Sequence, residues 1–186
     1  MQLSDIYELV RDDLNDVERR LRAVSRVDFP WLAQLLDYSL QGGGKRIRPV
    51  LALLSGRFYH QDFDRVRQVA AAVELMHLAT LVHDDAIDNS PTRWGRPTVN
   101  KLWGTEQAVL LGDYLFAKAG ELTATTENLR VIRLFSQTLM TISSGELAQA
   151  YSAFKLEQSR EHYLHRIASK TASLFSLATS SGAVLS

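Results

Sequence analysis

The sequence predicts an all-α fold, and three observations carry that prediction. Apolar residues recur at spacings of three and four along the chain. No segment shows the apolar–polar alternation of a strand, a hairpin turn or an internal repeat. Glycine and proline fall between the apolar runs, where they end one helix and open the next. With 186 residues there is enough chain for one domain with a real core, taken as residues 1–186.

Asp5 with Glu8 reads as a capping box, and Ile6, Val10, Leu14, Val17, Leu21 and Val24 then form one stripe. Arg11, Asp12, Asp13, Glu18 and Arg19 form the opposite face, so a single surface helix is expected, with no chemistry assigned to it. Asp28 and Pro30 open a second helix through Leu40. A third is expected from Pro49 to about Tyr59, with His60-Gln61-Asp62 as the turn after it. The fourth begins near Asp64 and is apolar from Val66 almost to Asn89; Asn89-Ser90-Pro91 ends it, because a residue before proline leaves the α region. Ser90 to Gly104 is expected to be a long irregular connection, a length that is often functional. Three more helices are expected, over about Thr105–Thr125, Asn128–Tyr151 and Ser159 towards Ser186. The last is rich in small residues, with Lys170 and Thr171 among them.

Composition narrows the function. Apolar residues make up 46% and charged residues 23%, ordinary values for a globular protein. Lys+Arg and Asp+Glu are both 21, so no net field favours nucleic acid or an anionic membrane. Any phosphate binding must come from local clusters. The absence of cysteine excludes disulfides and thiolate metal sites. No apolar run is long enough to span a bilayer, and Met1-Gln2-Leu3-Ser4-Asp5 lacks the pattern of a secretory signal, so a cytoplasmic location is expected.

Two stretches carry chemistry. In His83-Asp84-Asp85-Ala86-Ile87-Asp88, the i,i+4 pair Asp84 and Asp88 shares a helix face, and Asp85 is turned by about 100°. Three acids in one turn repel one another, and the helix C-terminus disfavours them further. Leu75, Met76, Leu78, Ala79, Leu81 and Val82 crowd the helix just before them, so the acids crown a buried helix. Oxygen ligands on one face suit Mg²⁺, which takes one or two carboxylates plus substrate phosphate. His77 and Thr80 continue that stripe below Asp84, while His83 points elsewhere and reads as packing or hydrogen bonding.

The second stretch is Gly42-Gly43-Gly44-Lys45-Arg46-Ile47-Arg48-Pro49. Its glycines can present backbone N–H groups to an anion, and three cations follow within four residues. The helix N-terminus at Pro49 adds to the attraction. This is a diphosphate cradle rather than a nucleotide P-loop: no Ser or Thr follows the lysine and no strand precedes the glycines.

Together the residues resemble the trans-isoprenyl, or polyprenyl, diphosphate synthases. The matching segments are Gly43-Gly44-Lys45-Arg46-Ile47-Arg48-Pro49, Glu74-Leu75-Met76-His77, His83 to Asp88, Arg93-Trp94-Gly95-Arg96-Pro97-Thr98, Gly112-Asp113-Tyr114-Leu115-Phe116-Ala117 and Lys170-Thr171-Ala172. The likeness covers the whole chain. It implies a bundle of long antiparallel helices around a deep cavity, and Mg²⁺-dependent condensation of isopentenyl diphosphate with an allylic diphosphate. In that reading Asp84 and Asp88 hold the metal, and Asp84, Asp85, Asp88, Arg93 and Lys170 carry the chemistry. Gly44, Lys45, Arg48 and His77 match positions that hold isopentenyl diphosphate, while Arg93, Gln149, Lys170 and Thr171 match positions on the allylic side. The product tail would pass Thr80, Ala79 and Met76, a wall of small or flexible residues where short-chain members carry aromatics. A product longer than farnesyl is therefore expected.

Two departures accompany the resemblance. Trp94 stands where the family usually has a second consecutive basic residue, with Arg96 nearby to compensate. The family's second aspartate-rich motif is expected beyond Ser186, with the helices that close the cavity. Exposed apolar faces on the fifth to seventh helices are therefore expected, and with them a homodimer or hetero-oligomer, including one with exchanged helices. The alternative reading is a non-catalytic regulatory or binding subunit of a heteromeric prenyl diphosphate synthase.

Overall fold

A computed structural model describes residues 3–59, 63–156 and 159–186. The expected turn at His60-Gln61-Asp62 lies outside the described residues. The helices are α1 (Leu3–Glu8), α2 (Arg11–Ala23), α3 (Pro30–Leu40), α4 (Ile47–Ser55), α5 (Phe63–Ile87), α6 (Val99–Trp103), α7 (Thr105–Ala124), α8 (Leu129–Ser152), α9 (Arg160–Ile167) and α10 (Ser173–Leu185). The fold is all-α, as expected, with α5 as its central element. Val66, Val69, Ala70 to Val73, Leu75, Met76 and Ala79 of α5 are all fully buried. A helix apolar on every side belongs inside, and α2, α4, α7 and α10 pack around it. None of the described helices is long and apolar enough to cross a membrane.

Close backbone approach sets several of these contacts. A Cβ on Gly182 of α10 would run into the Ala52 carbonyl of α4, and one on Gly112 of α7 into the His83 ring of α5. Asn128 caps α8, its side chain accepting from the backbone N–H groups of Arg130 and Val131, and Ser159 caps α9 by accepting from His162 N–H.

Several local expectations change. The first stripe is not one helix: it breaks at Leu9 and Val10, where the Val10 backbone leaves the helical region, and Asp5 lies inside α1 rather than at its cap. The charged face of α2 is solvated at Arg11, Asp12 and Arg19, as expected, but not at its margins. Asp13 is buried and paired with Arg57 and Arg67 at 2.8 Å each, and Glu18 pairs with Arg46. Arginines at the ends of α4 and on α5 thus draw the marginal acids of α2 out of solvent. Helix α4 starts two residues before Pro49 and stops at Ser55, short of Tyr59.

The stretch from Ser90 to Gly104 is ordered. Strands β1 (Thr92–Arg93) and β2 (Arg96–Pro97) pair antiparallel, and α6 follows, capped by the Thr98 hydroxyl on Lys101 N–H. The turn residues Trp94 and Gly95 both have positive φ, 50° and 76°, as a two-residue type I′ turn requires. Apolar side chains stay uncovered on α7, α8 and α9, with Leu110, Leu147, Tyr151 and Leu164 all exposed. This agrees with the expected apolar faces.

Candidate active site

Helix α5 delivers its acids to the mouth of a cavity of about 510 Å³ between α5, α7, α8 and α10. Asp84 lines it, together with Arg48, His77, Thr80, Lys170 and Thr171. Phe116, Ile142, Leu147 and Leu174 supply its apolar wall. Asp88 lies just past the helix end, exposed, and its backbone N–H still bonds the Asp84 carbonyl at 2.8 Å. The two carboxylates therefore keep the one-turn relation that the spacing implies.

Asp85 faces the other way. It is buried and takes Arg93 in a forked pair, with contacts of 2.8 to 3.0 Å. The pair fills its oxygens and holds the β hairpin against α5, so the structure sets Asp85 apart from the cavity. Through this pair Arg93 reaches back to the acid cluster. Arg96 does not: its guanidinium lies 4.5 Å over the Tyr38 ring.

Lys170 enters from a π-helical turn, Ala168–Ala172, between α9 and α10. Such turns bulge a helix and often mark functional positions. Its ammonium sits 2.7 Å from Glu146 and 3.6 Å from Asp84. Gly145 lets the turn come this close, because a Cβ there would lie 2.7 Å from the Ser169 side chain. Burial alone would lower the Lys170 pKa, but the carboxylates of Glu146, Asp84 and Asp88 outweigh it and raise it. Burial pushes the Asp84 carboxyl up, and Glu146 and Asp88 add to this against the pull of Lys170 and Arg93. Among the described residues no group of three or more His, Cys, Asp or Glu forms a metal cage. The oxygen pair Asp84 and Asp88 fits a hard cation that keeps most of its ligands as water or phosphate.

A second recess, about 120 Å³, opens beside the first. Gly43, Gly44, Lys45, Arg48 and His77 line it, with Trp94 at its rim. Arg48, His77 and Leu81 line both recesses and so form the wall between them. The Arg48 guanidinium lies 4.6 Å from the Phe175 ring centroid, and its buried Nε has no hydrogen-bond partner among the described residues. Burial lowers the Arg48 pKa, opposed by Glu74. His77 is held down to about 3 by burial and by the charges of Arg48, Arg93 and Arg46, so it is neutral at ordinary pH. The junction thus presents a guanidinium donor with an unmet N–H and a neutral imidazole.

The structure redistributes other expected residues. Gln149 lines a separate recess between α8 and α9, and reaches this site only by donating to Glu146 at 3.2 Å. Met76 and Ala79 are fully buried in the core and do not touch the cavity. Of the expected tail wall only Thr80 faces it, and Phe116 of α7 takes a place that the sequence reading did not assign. Glu146 was also missed. No local signal marks it, since its role arises only where α8 meets the π turn. His83 does not point wholly elsewhere, since it also lines the cavity, but it packs and hydrogen-bonds as expected: its Nε2 is 2.9 Å from the Val109 carbonyl and its ring meets Phe116 edge-on.

The profile of the polyprenyl synthetase family matches residues 29–186. Over all 186 residues the chain is 38% identical to heptaprenyl diphosphate synthase component 2 of Bacillus subtilis, covering 53% of that protein. It is 35% identical to octaprenyl diphosphate synthase of Haemophilus influenzae, covering 100% of this chain and 56% of the relative. A crystal structure of a Caulobacter crescentus polyprenyl synthase, complexed with calcium and isoprenyl diphosphate, superposes with a TM-score of 0.94. Its identity is 34%, over 98% of this chain and 56% of that one. The chain spans about half the length of the curated relatives it matches.

Proposed function

Because the chain belongs to the polyprenyl synthetase family, we propose that it carries the diphosphate-handling part of a prenyltransferase. The reaction condenses isopentenyl diphosphate with an allylic diphosphate. The allylic C–O bond breaks and its electron pair leaves with diphosphate. The isopentenyl double bond then forms the new C–C bond, and a proton is lost from the isopentenyl unit. The observation that carries this reading is the shared wall. Arg48 and His77 separate a cation-lined recess from an apolar cavity that has Asp84 and Lys170 at its mouth.

Each residue has work to do at a stated place. Lys45 and Arg48 hold the isopentenyl diphosphate in the smaller recess, with His77 as a neutral hydrogen-bonding partner. Lys170 turns from Glu146 towards the allylic diphosphate, and Thr171 adds a hydroxyl. Asp84 and Asp88 would hold Mg²⁺, which supplies positive charge against the departing diphosphate. Asp85 keeps Arg93 in place, and Arg93 contributes its charge across the acid cluster. The apolar wall at Phe116, Ile142 and Leu174 shelters the tail from water. A product longer than farnesyl fits the names of the Bacillus and Haemophilus relatives.

The uncovered apolar side chains of α8 and α9 call for a partner surface, a second copy or another subunit. The Bacillus relative is named as one component of its synthase, which favours a hetero-oligomer here. The test is isopentenyl incorporation into farnesyl diphosphate with Mg²⁺, by the purified chain alone and by the chain mixed with the C-terminal portion of a relative. Incorporation in either arm, lost with Asp84→Ala, is the expected result. No incorporation in either arm, with no Mg²⁺-dependent diphosphate binding, would overturn the reading.

A further inference from the structure

The residue next to Lys45 lines the same recess but is gripped from three sides. Arg46 has φ 48° and ψ 33°, in the left-handed region, immediately after Gly43 and Gly44 with φ of 75° and 139°. A residue with a Cβ holds that conformation only where its surroundings over-determine it. Here they do. Arg46 Nε donates to Glu18 of α2 at 2.5 Å, and Nη1 donates to Glu74 of α5 at 2.9 Å. Nη1 also meets the Gly43 carbonyl at 3.3 Å, which closes the loop on itself. The Tyr7 hydroxyl of α1 donates to the Lys45 carbonyl.

We propose that Tyr7, Glu18 and Glu74 form a positioning clamp that fixes Arg46 in its left-handed turn and so aims Lys45 and Arg48 into the diphosphate recess. None of the three touches the reacting atoms. Tyr7 and Glu18 lie before residue 29, where the family match begins, so this support comes from outside the matched region. Arg46 lines the recess with Lys45 and Arg48, but its charge is engaged by the two acids, so it anchors the loop from which Lys45 and Arg48 reach a ligand. Glu74 also stands one helical turn below His77 on α5, so one element positions both the loop and the imidazole. The clamp rests on the reading that this recess takes a diphosphate.

Coulomb's law and the clamp predict opposite signs. Glu18 is an acid near an anion site, so its removal should tighten anion binding if charge alone mattered. If Glu18 positions the loop, its removal should weaken binding. The probe is inorganic diphosphate, titrated calorimetrically into the full chain as wild type, Glu18→Gln, Arg46→Gly and the double variant. We expect Glu18→Gln to bind roughly three- to ten-fold more weakly, within the range of one charge-assisted hydrogen bond. Glycine accepts the left-handed backbone without a clamp, so Glu18→Gln should cost nothing further in the Arg46→Gly background. Amide exchange across Gly43 to Ile47, measured without ligand, should speed up in Glu18→Gln. Unchanged or tighter binding in Glu18→Gln, or additive effects in the double variant, would overturn the clamp. A wild-type chain that ignores diphosphate would overturn the functional reading instead, and unchanged exchange in Glu18→Gln would still overturn the clamp on its own.

Discussion

Two places in this chain set one cation between two carboxylates, and they are built for opposite ends. Arg46 lies between Glu18 and Glu74, and Lys170 lies between Asp84 and Glu146. The first uses a planar guanidinium with several fixed donors, bonded at 2.5 and 2.9 Å and largely out of solvent. The second uses a compact ammonium, close to Glu146 but 3.6 Å from Asp84. A rigid fork matched to its acceptors holds a shape, whereas a point charge on a flexible stem can be redirected by a new anion. Equal charge counts thus yield a fixed support in one place and an adjustable contact in the other. The difference lies in side-chain geometry and burial.

The sharpest break in that comparison is at the adjustable triad. Asp84→Ala should lower isopentenyl incorporation by on the order of 10³-fold while leaving the melting temperature near wild type, because Asp84 supports chemistry rather than the core. Equal loss of both would erase the distinction. At the fixed triad the balance should reverse. Arg46→Ala leaves Glu74 buried without its partner and should cost about 3 kcal/mol of stability in a denaturant titration. Exchanging the cation types sharpens the contrast. Arg46→Lys should lose about 1–2 kcal/mol as the fork goes, while Lys170→Arg should leave stability within about 0.5 kcal/mol.

A pH experiment probes the wall between the recesses. The folded chain keeps His77 neutral down to about 3, while the unfolded chain protonates it near the ordinary value of 6.5. Below pH 6.5 the unfolded state therefore binds a proton that the folded state refuses. This contribution to stability is fully present above pH 6.5 and is lost progressively as pH falls towards 3. His77→Gln should flatten that part of the stability profile. A bound diphosphate should raise the imidazole pKa from its depressed value, so proton uptake on binding should grow as pH falls well below 6, while His77 stays neutral near pH 7, seen as a dependence of the binding heat on buffer ionisation. The smallest expected effect is at the rim. Trp94→Arg adds a half-exposed cation beside Gly42 and should tighten diphosphate binding about three-fold at low salt, fading as salt rises.

The helical frame was legible in the sequence because its signals are local. The apolar run of α5, the Pro30 start of α3 and the Asn128 and Ser159 caps each announce themselves within one or two turns. So did the acid spacing and the glycine-rich stretch that frame the candidate site. The losses have physical causes. Trp94-Gly95 is not a familiar hairpin dipeptide, and strands of two residues leave no alternation to detect. Met76 and Ala79 were expected on the tail path because they lie below Asp84 on α5, and no pattern within a helix apolar all round separates core from cavity. Glu18 sat on the polar face of an amphipathic helix, where a helical wheel cannot foresee the loop that packs on it. Glu146 depends on a contact between segments that only Gly145 permits.

The π turn at Ala168–Ala172 ties the reading frame of one helix to two unrelated demands. On its near side Lys170 must face the acids; on its far side Gly182 must lie against the Ala52 carbonyl. The bulge holds one residue more than an α turn, and that extra residue sets the rotation between these two contacts. Removing Ala172 would turn one contact relative to the other by about 100°. Ala172 is itself exposed and should accept many side chains. Ala172 is therefore tolerant of what stands there, Ser169 and Lys170 are held by their contacts, and the number of positions is fixed by the two demands. A deletion in this turn should thus cost more than a substitution at Ala172.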